Sequence, residues 1–365
     1  MRRARKVLFG LVPVLALLAA AEALQRLSDW RKAARRDAPW DIARLETTDG
    51  LVLGTRPGGL AWVLDPFLVY KHRPGQRSER GSINAQGFRG PDWTREKRPG
   101  VRRVILLGGS TAYGWGVAGD ELTLAGLIQR QLGPERVEVW NAGVIGYAST
   151  QEAILLHTEL LAWSPDALVV VDGWNDLYYA SRTPPDRPIR PLTFLELEAL
   201  LTRGQDGAGS VLRLSALWRR LERYREERAA AAAAAAFHDH PDLVPLYRRN
   251  LEVMVRLARA VGARAVLVPQ PELSLRQAPL DPRLKAWVER TTGRGWLELA
   301  RTRYPHLRDA AREVAAANEA GFVDGTRAFD EVAGEPFVDA CHLTELGNQA
   351  LAAKIAVELA RVLGP

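Results

Sequence analysis

From residue 101 onward, short apolar runs alternate with longer stretches of mixed character. The runs are "VRRVILLG" (101–108), "RVEVWNAG" (136–143), "DALVVVDG" (166–173), "ARAVLVPQ" (263–270) and "AGFVDGT" (320–326). Four of them are rich in Val, Ile and Leu without clean apolar/polar alternation, the pattern of strands buried on both faces of a parallel sheet. Between them lie helical stretches. Residues 121–132 end at Gly133, and 150–162 stop before "SPD". In 247–261, Leu251, Met254, Val255 and Ala258 fall on one helical face, and Gly262 follows as a stop. Residues 344–363 form the last. Strand–helix alternation of this kind predicts an open, doubly wound α/β sheet, which binds ligands beyond the carboxyl ends of its strands.

Two segments break the rhythm. Residues 180–245 carry a Pro/Arg loop (182–191) and a helical stretch that runs into eight alanines at 229–236. They predict a helical insertion near the carboxyl edge of the sheet, either a lid or a surface elaboration, since long insertions cost little free energy. Ahead of the sheet, residues 61–100 hold a candidate strand, "AWVLDPFLVY", and a polar loop, "NAQGFRGPDW"; residues 25–60 read as a tether. At the N-terminus, "MRRARK" precedes about eighteen mostly apolar residues (7–24). This predicts a signal or membrane anchor over 1–24, with "AEA" at 21–23 a candidate cleavage site and the rest of the chain outside the cytoplasm. Positive charge on both flanks leaves the orientation undecided.

Charge narrows the partners. The 365 residues carry a formal charge of +7, and residues 1–36 hold nine Lys/Arg against two Asp/Glu, so the remainder sums to zero. Nucleic-acid binding, which needs a basic face on the folded domain, is not expected. One cysteine, Cys341, excludes an intrachain disulfide and a cysteine metal cluster. His238, Asp239 and His240 offer no metal-ligand spacing, and neither metal nor cofactor is expected.

The chemistry centres on "LLGGSTAYGWG", where the first run ends at two glycines and Ser110. A phosphate-binding loop is excluded, because no lysine lies between 98 and 284. A dinucleotide fingerprint does not fit these glycines. The nucleophile elbow G-x-S-x-G is half matched, with Ala at 112. A structural turn remains open. Three further blocks fall at the same sheet edge: "NAGVIGYAS" after the second run, "DGWNDL" after the third, and "VDACHLTELGNQALA" before the last helix. Together with Ser110, these blocks resemble the SGNH hydrolase superfamily of GDSL-type esterases and lipases over about 101–365, apart from the insertion.

The resemblance implies a three-layer α/β/α, flavodoxin-like, doubly wound parallel sheet of about five strands. It implies a serine nucleophile at Ser110, with Asp339 and His342 of "DACH" completing a catalytic triad. It also implies an oxyanion hole formed by the Ser110 and Gly146 N–H groups and the Asn175 amide. "GGST" departs from G-D-S-L, but the missing aspartate is not the family's triad acid. "SINAQGFRG" (82–90) resembles the lead-in of a bacterial subgroup often found with an N-terminal anchor, which points to the cell envelope.

The residue types suit this chemistry. A serine hydroxyl needs an adjacent base. His342 can take its proton and return it to the leaving alcohol. An aspartate three residues earlier can fix the imidazole's tautomer. Simpler roles stay open: Ser110 as a helix cap, His342 as a loop histidine, Asn175 as a turn residue, Gly146 as a turn glycine. Trp115 and Trp174 either line the pocket or pack its rim. Cys341 reads as a small buried thiol. The expected function is an esterase that works through an acyl-enzyme on a small-molecule or glycan ester, with an envelope carbohydrate or lipid as substrate. The alternatives are an O-acyltransferase using the same site on a glycan acceptor, and an inactive envelope binding module.

Overall fold

The computed structural model describes residues 19–28, 45–47, 51–53, 62–78, 81–190, 220 and 237–364. The chain divides into two compact units. One comprises residues 1–40 and 196–236. Within it, residues 19–28 are helical, and the Arg220 guanidinium donates to Gln25 Oε1 at 2.7 Å. Residues 1–18, most of the expected anchor, and residues 191–219 and 221–236 of the expected insertion lie outside the described residues. Among the described residues no helix is long and apolar enough to cross a membrane.

The second unit, residues 41–195 and 237–365, holds the sheet. Six short strands precede it: β1 (Leu45–Thr47), β2 (Leu51–Leu53), β3 (Trp62–Asp65), β4 (Val69–His72), β5 (Gln76–Ser78) and β6 (Gly81–Ile83). The expected single strand at 61–70 is instead an antiparallel hairpin of β3 and β4. Asp65 Oδ1 accepts the N–H groups of Phe67 and Leu68, each at 2.9 Å, and this side-chain turn folds the run back on itself.

Five parallel strands follow: β7 (Arg102–Gly108), β8 (Val137–Gly143), β9 (Ala167–Asp172), β10 (Arg264–Pro269) and β11 (Gly321–Phe322). Their spatial order is β8-β7-β9-β10-β11. This is the flavodoxin-like order, and its switch point lies between β7 and β9. The apolar runs form strands because both faces are covered: every side chain of Val104–Leu107 and Ala167–Val171 is at most 1% exposed. The fifth run contributes two residues only.

The helices are α1 (Ser110–Tyr113), α2 (Leu124–Leu132), α3 (Ser149–Thr158), α4 (Trp174–Arg182), α5 (Leu243–Ala260), α6 (Pro282–Thr291), α7 (Trp296–Ala317) and α8 (Glu345–Leu363). α2 packs with α8, while α3 and α7 each pack against α5. The result is three layers, α/β/α. α6 and α7 fill the stretch between β10 and β11, which the sequence pattern leaves unassigned. α7 continues through Pro305 and buries Trp296, Ala300, Tyr304, Leu307, Ala311 and Val314 along one face.

The register sets the site. Gly108 pairs with Gly143 of β8 and Val171 of β9, and Asp172 pairs with Pro269 of β10. The turns carrying Ser110, Gly146 and Asn175 therefore leave the sheet at one level, beside the switch point.

Candidate active site

Two glycines let the chain turn from β7 into α1. A Cβ on Gly108 would stand 2.4 Å from the Val171 carbonyl oxygen, and one on Gly109 2.8 Å from Asn175 Nδ2. Only glycine allows so close an approach. The turn places Ser110 at the start of α1 with 9% exposure. A buried arginine holds the chain beyond α1. Arg89 donates to the carbonyls of Tyr113, Gly114, Val117 and Gly119 and pairs with Asp120 at 2.9 Å. Being 2% exposed, it is a charge whose desolvation is offset by a full set of acceptors.

His342 sits on the loop before α8. The loop is pinched by a bridge between Phe337 and Leu343 and by Val338 N–H donating to the His342 carbonyl at 2.8 Å. Asp339 Oδ1 accepts the N–H groups of Cys341 (2.9 Å) and His342 (2.8 Å), which turns Oδ2 toward the ring. Oδ2 lies 2.5 Å from His342 Nδ1, and His342 Nε2 lies 2.7 Å from Ser110 Oγ. Burial raises the Asp339 pKa, but the His342 charge and these hydrogen bonds outweigh it and hold the carboxyl below its ordinary value. An ionised Asp339 keeps the proton on Nδ1 and leaves Nε2 as the acceptor facing the serine.

The loops that carry the oxyanion candidates lie close together: a Cβ on Gly109, beside Ser110, would stand 2.8 Å from Asn175 Nδ2 and 3.0 Å from the Tyr147 carbonyl oxygen. Gly146 has φ 81°, a left-handed conformation that suits glycine. Among the described residues, no protein acceptor takes the N–H of Ser110 or of Gly146. Asn175 Nδ2 donates to the Tyr147 carbonyl at 2.6 Å, which uses one of its two hydrogens and ties it to the Gly146 loop.

Trp115 lies with its ring centroid 6.1 Å from that of His342, at the rim of the site. Trp174 packs among aromatic side chains, stacked on Tyr178 and 5.0 Å from Trp296. Cys341 is buried, and burial pushes its thiol well above the ordinary range, far from a reactive thiolate. Asp339, Cys341 and His342 do bring three ligand-type atoms within 4.8 Å of one another. Both ring nitrogens of His342 are already engaged, and the thiol is held protonated, which is poor chemistry for a metal. His240 bonds the Arg187 carbonyl and accepts from Asp242 N–H, so it closes a loop.

The sequence pattern does not expose a buried acidic group under the site. Glu152, Asp172 and Asp176 are each at most 6% exposed. Asp176 accepts from Ser149 Oγ at 2.5 Å, and Asn250 donates to that same hydroxyl at 2.8 Å. Burial, then mutual repulsion, pushes Glu152 and Asp172 well above the ordinary carboxyl range; burial likewise raises Asp176. The Tyr70 and Tyr179 hydroxyls, which donate to the Ile145 and Gly146 carbonyls, are equally hidden, because their partners lie far away along the chain.

Residues 106–350 match the GDSL-like lipase/acylhydrolase family. No curated relative matches the chain significantly. Similar solved structures include a lipase/acylhydrolase from Enterococcus faecalis (22% identity, 73% of this chain and 98% of that one, TM-score 0.44). A GDSL-like lipase from Parabacteroides merdae is 15% identical over 72% and 96% of the two chains, with TM-score 0.44. A Geobacillus acetyl-xylooligosaccharide esterase variant is 16% identical over 72% and 94%, with TM-score 0.42. The family match spans most of the sheet and includes Ser110, Gly146, Asn175, Asp339 and His342, so the chain belongs to the GDSL-like lipase/acylhydrolase family and is a hydrolase of ester bonds.

Proposed function

We propose that the protein is a serine esterase that cleaves an oxygen ester through an acyl-enzyme at Ser110. The observation that carries this reading is the hydrogen-bonded chain from Ser110 Oγ through both His342 nitrogens to Asp339. His342 Nε2 takes the hydroxyl proton as Oγ attacks the ester carbonyl. The imidazolium that forms faces the Asp339 carboxylate, which stabilises it. The oxyanion meets the N–H groups of Ser110 and Gly146 and the free hydrogen of the Asn175 amide, and one such donor is worth roughly 3–4 kcal/mol in the transition state. His342 then protonates the leaving alcohol, and water, deprotonated by the same imidazole, releases the acid.

The substrate we assign is a small acyl group on an envelope carbohydrate or lipid. Trp115 at the rim supports it, as aromatic faces suit sugar rings. The basic and apolar residues 1–24 support a membrane-anchored or exported protein with its catalytic domain outside the cytoplasm. Deleting 1–24 should shift the protein from the membrane fraction to the soluble one; unchanged partitioning would refute the anchor.

The test uses the full-length chain with p-nitrophenyl esters of increasing chain length. Hydrolysis should be greatest for acetate, and Ser110→Ala should lose about 10³-fold or more in kcat. Equal rates for the two proteins would overturn the proposal. An acyl-enzyme that accumulates and discharges onto a glycan instead of water would reassign the same site to acyl transfer.

A further inference from the structure

We infer that Tyr70, on the β3–β4 hairpin ahead of the family-matched segment, is a positioning residue for the peptide that binds the oxyanion. The inference rests on the reading of Gly146 N–H as an oxyanion donor.

The carbonyl of Ile145 and the N–H of Gly146 belong to one planar amide. The Tyr70 hydroxyl donates to that carbonyl at 2.7 Å in a buried setting. In a trans peptide the N–H points opposite to the C=O, so holding the oxygen aims the N–H. A donor on the carbonyl also polarises the amide and strengthens its N–H as a donor. Glycine at 146 is matched to this contact. A Cβ there would stand 2.5 Å from the Tyr70 hydroxyl oxygen, so the hydroxyl fills the space the glycine leaves open.

The hairpin is fixed to the same loop in return. The Tyr147 hydroxyl donates to the Tyr70 carbonyl at 2.5 Å, and Gln151 Nε2 donates to the Leu68 carbonyl at 2.9 Å. The Tyr70 ring stands edge-on to both Tyr147 and Trp62, at 5.5 and 5.1 Å. Three successive carbonyls are thus each held by a side chain: Ile145 by Tyr70, Gly146 by the Tyr179 hydroxyl, and Tyr147 by Asn175. Of the three, only Tyr70 bonds the amide that carries the oxyanion donor.

The test compares Tyr70→Phe, 3-fluorotyrosine at position 70, and Asn175→Ala in the full-length chain. Rates on p-nitrophenyl acetate are normalised to the fraction labelled by a fluorophosphonate, so that only folded sites count. Tyr70→Phe should lower kcat by roughly 5- to 50-fold with KM within twofold, because only transition-state binding is lost. Fluorotyrosine keeps the donor and should hold kcat within twofold of the parent. A Tyr70→Phe rate within twofold of the parent, while Asn175→Ala loses about 100-fold, would overturn the inference and leave the oxyanion reading intact. Equal losses in the Phe and fluorotyrosine proteins would also overturn it, as the hydroxyl would then not be responsible. If neither Tyr70→Phe nor Asn175→Ala lowers kcat, the oxyanion reading itself falls.

Discussion

The Thr111 hydroxyl donates to the carbonyl of Cys341 at 3.1 Å, joining the residue after the serine to the residue before the histidine. The two positions are 230 apart in the chain. The bond is buried, and it ties α1 to the loop between β11 and α8. Alignment of Ser110 with His342 therefore does not depend on their own hydrogen bond alone.

Thr111→Val keeps the shape of the side chain and removes this donor. It should cost about 1–2 kcal/mol in urea unfolding, since the carbonyl loses a buried partner. It should also lower kcat, because α1 and the histidine loop lose their direct link. Unchanged values of both would show that packing alone sets the alignment.

Gly143 ends β8 directly beneath α1, and a Cβ there would stand 2.2 Å from the Tyr113 backbone nitrogen. Neither backbone can yield without moving the serine. Gly143→Ala should cost about 1–3 kcal/mol through overpacking and lower kcat by about 100-fold through displacement of Ser110. Thermal unfolding and esterase assays measure the two effects separately.

The buried carboxyls Glu152 and Asp172 set a pH trend in stability. Burial raises both above their unfolded values, so the folded state retains protons that the unfolded state releases as pH rises past about 4. Stability from these groups is greatest at low pH and falls as pH climbs toward their folded values. Asp172→Asn resembles the protonated acid and should reduce the drop in Tm between pH 5 and pH 8. An unaltered pH dependence of Tm would show that this carboxyl is not the source.

Much of this could be read from the chain because it depends on local pattern. Val104–Leu107 and Ala167–Val171 are apolar on every side chain because both sheet faces are covered, so strand position and parallel character were legible together. Gly108, Gly143 and Gly173 mark where those strands stop, which is why the blocks could be assigned to one edge. The hairpin at 62–72 was not legible: its turn is made by the Asp65 side chain inside a run that reads as continuous. Val69 adopts φ 74°, a conformation that no β-branched residue suggests. α7 had the right periodicity, but Pro305 in its interior and the prolines before α6 read as breakers. Tyr70 and Arg89 stayed silent for another reason. Apart from Asp120, their hydrogen-bond acceptors are backbone carbonyls, and carbonyls leave no trace in sequence.

The embrace of Tyr113–Gly119 by Arg89 bears on how this hydrolase could be trimmed or grafted. A fragment starting at the first strand of the parallel sheet would keep the triad and the oxyanion donors but lose Tyr70. It would also strand four carbonyl oxygens and Asp120 without their shared cation. The smallest heritable unit of this enzyme thus begins before its family signature, and a transplant that respects only the signature should yield an intact sheet with a slack mouth.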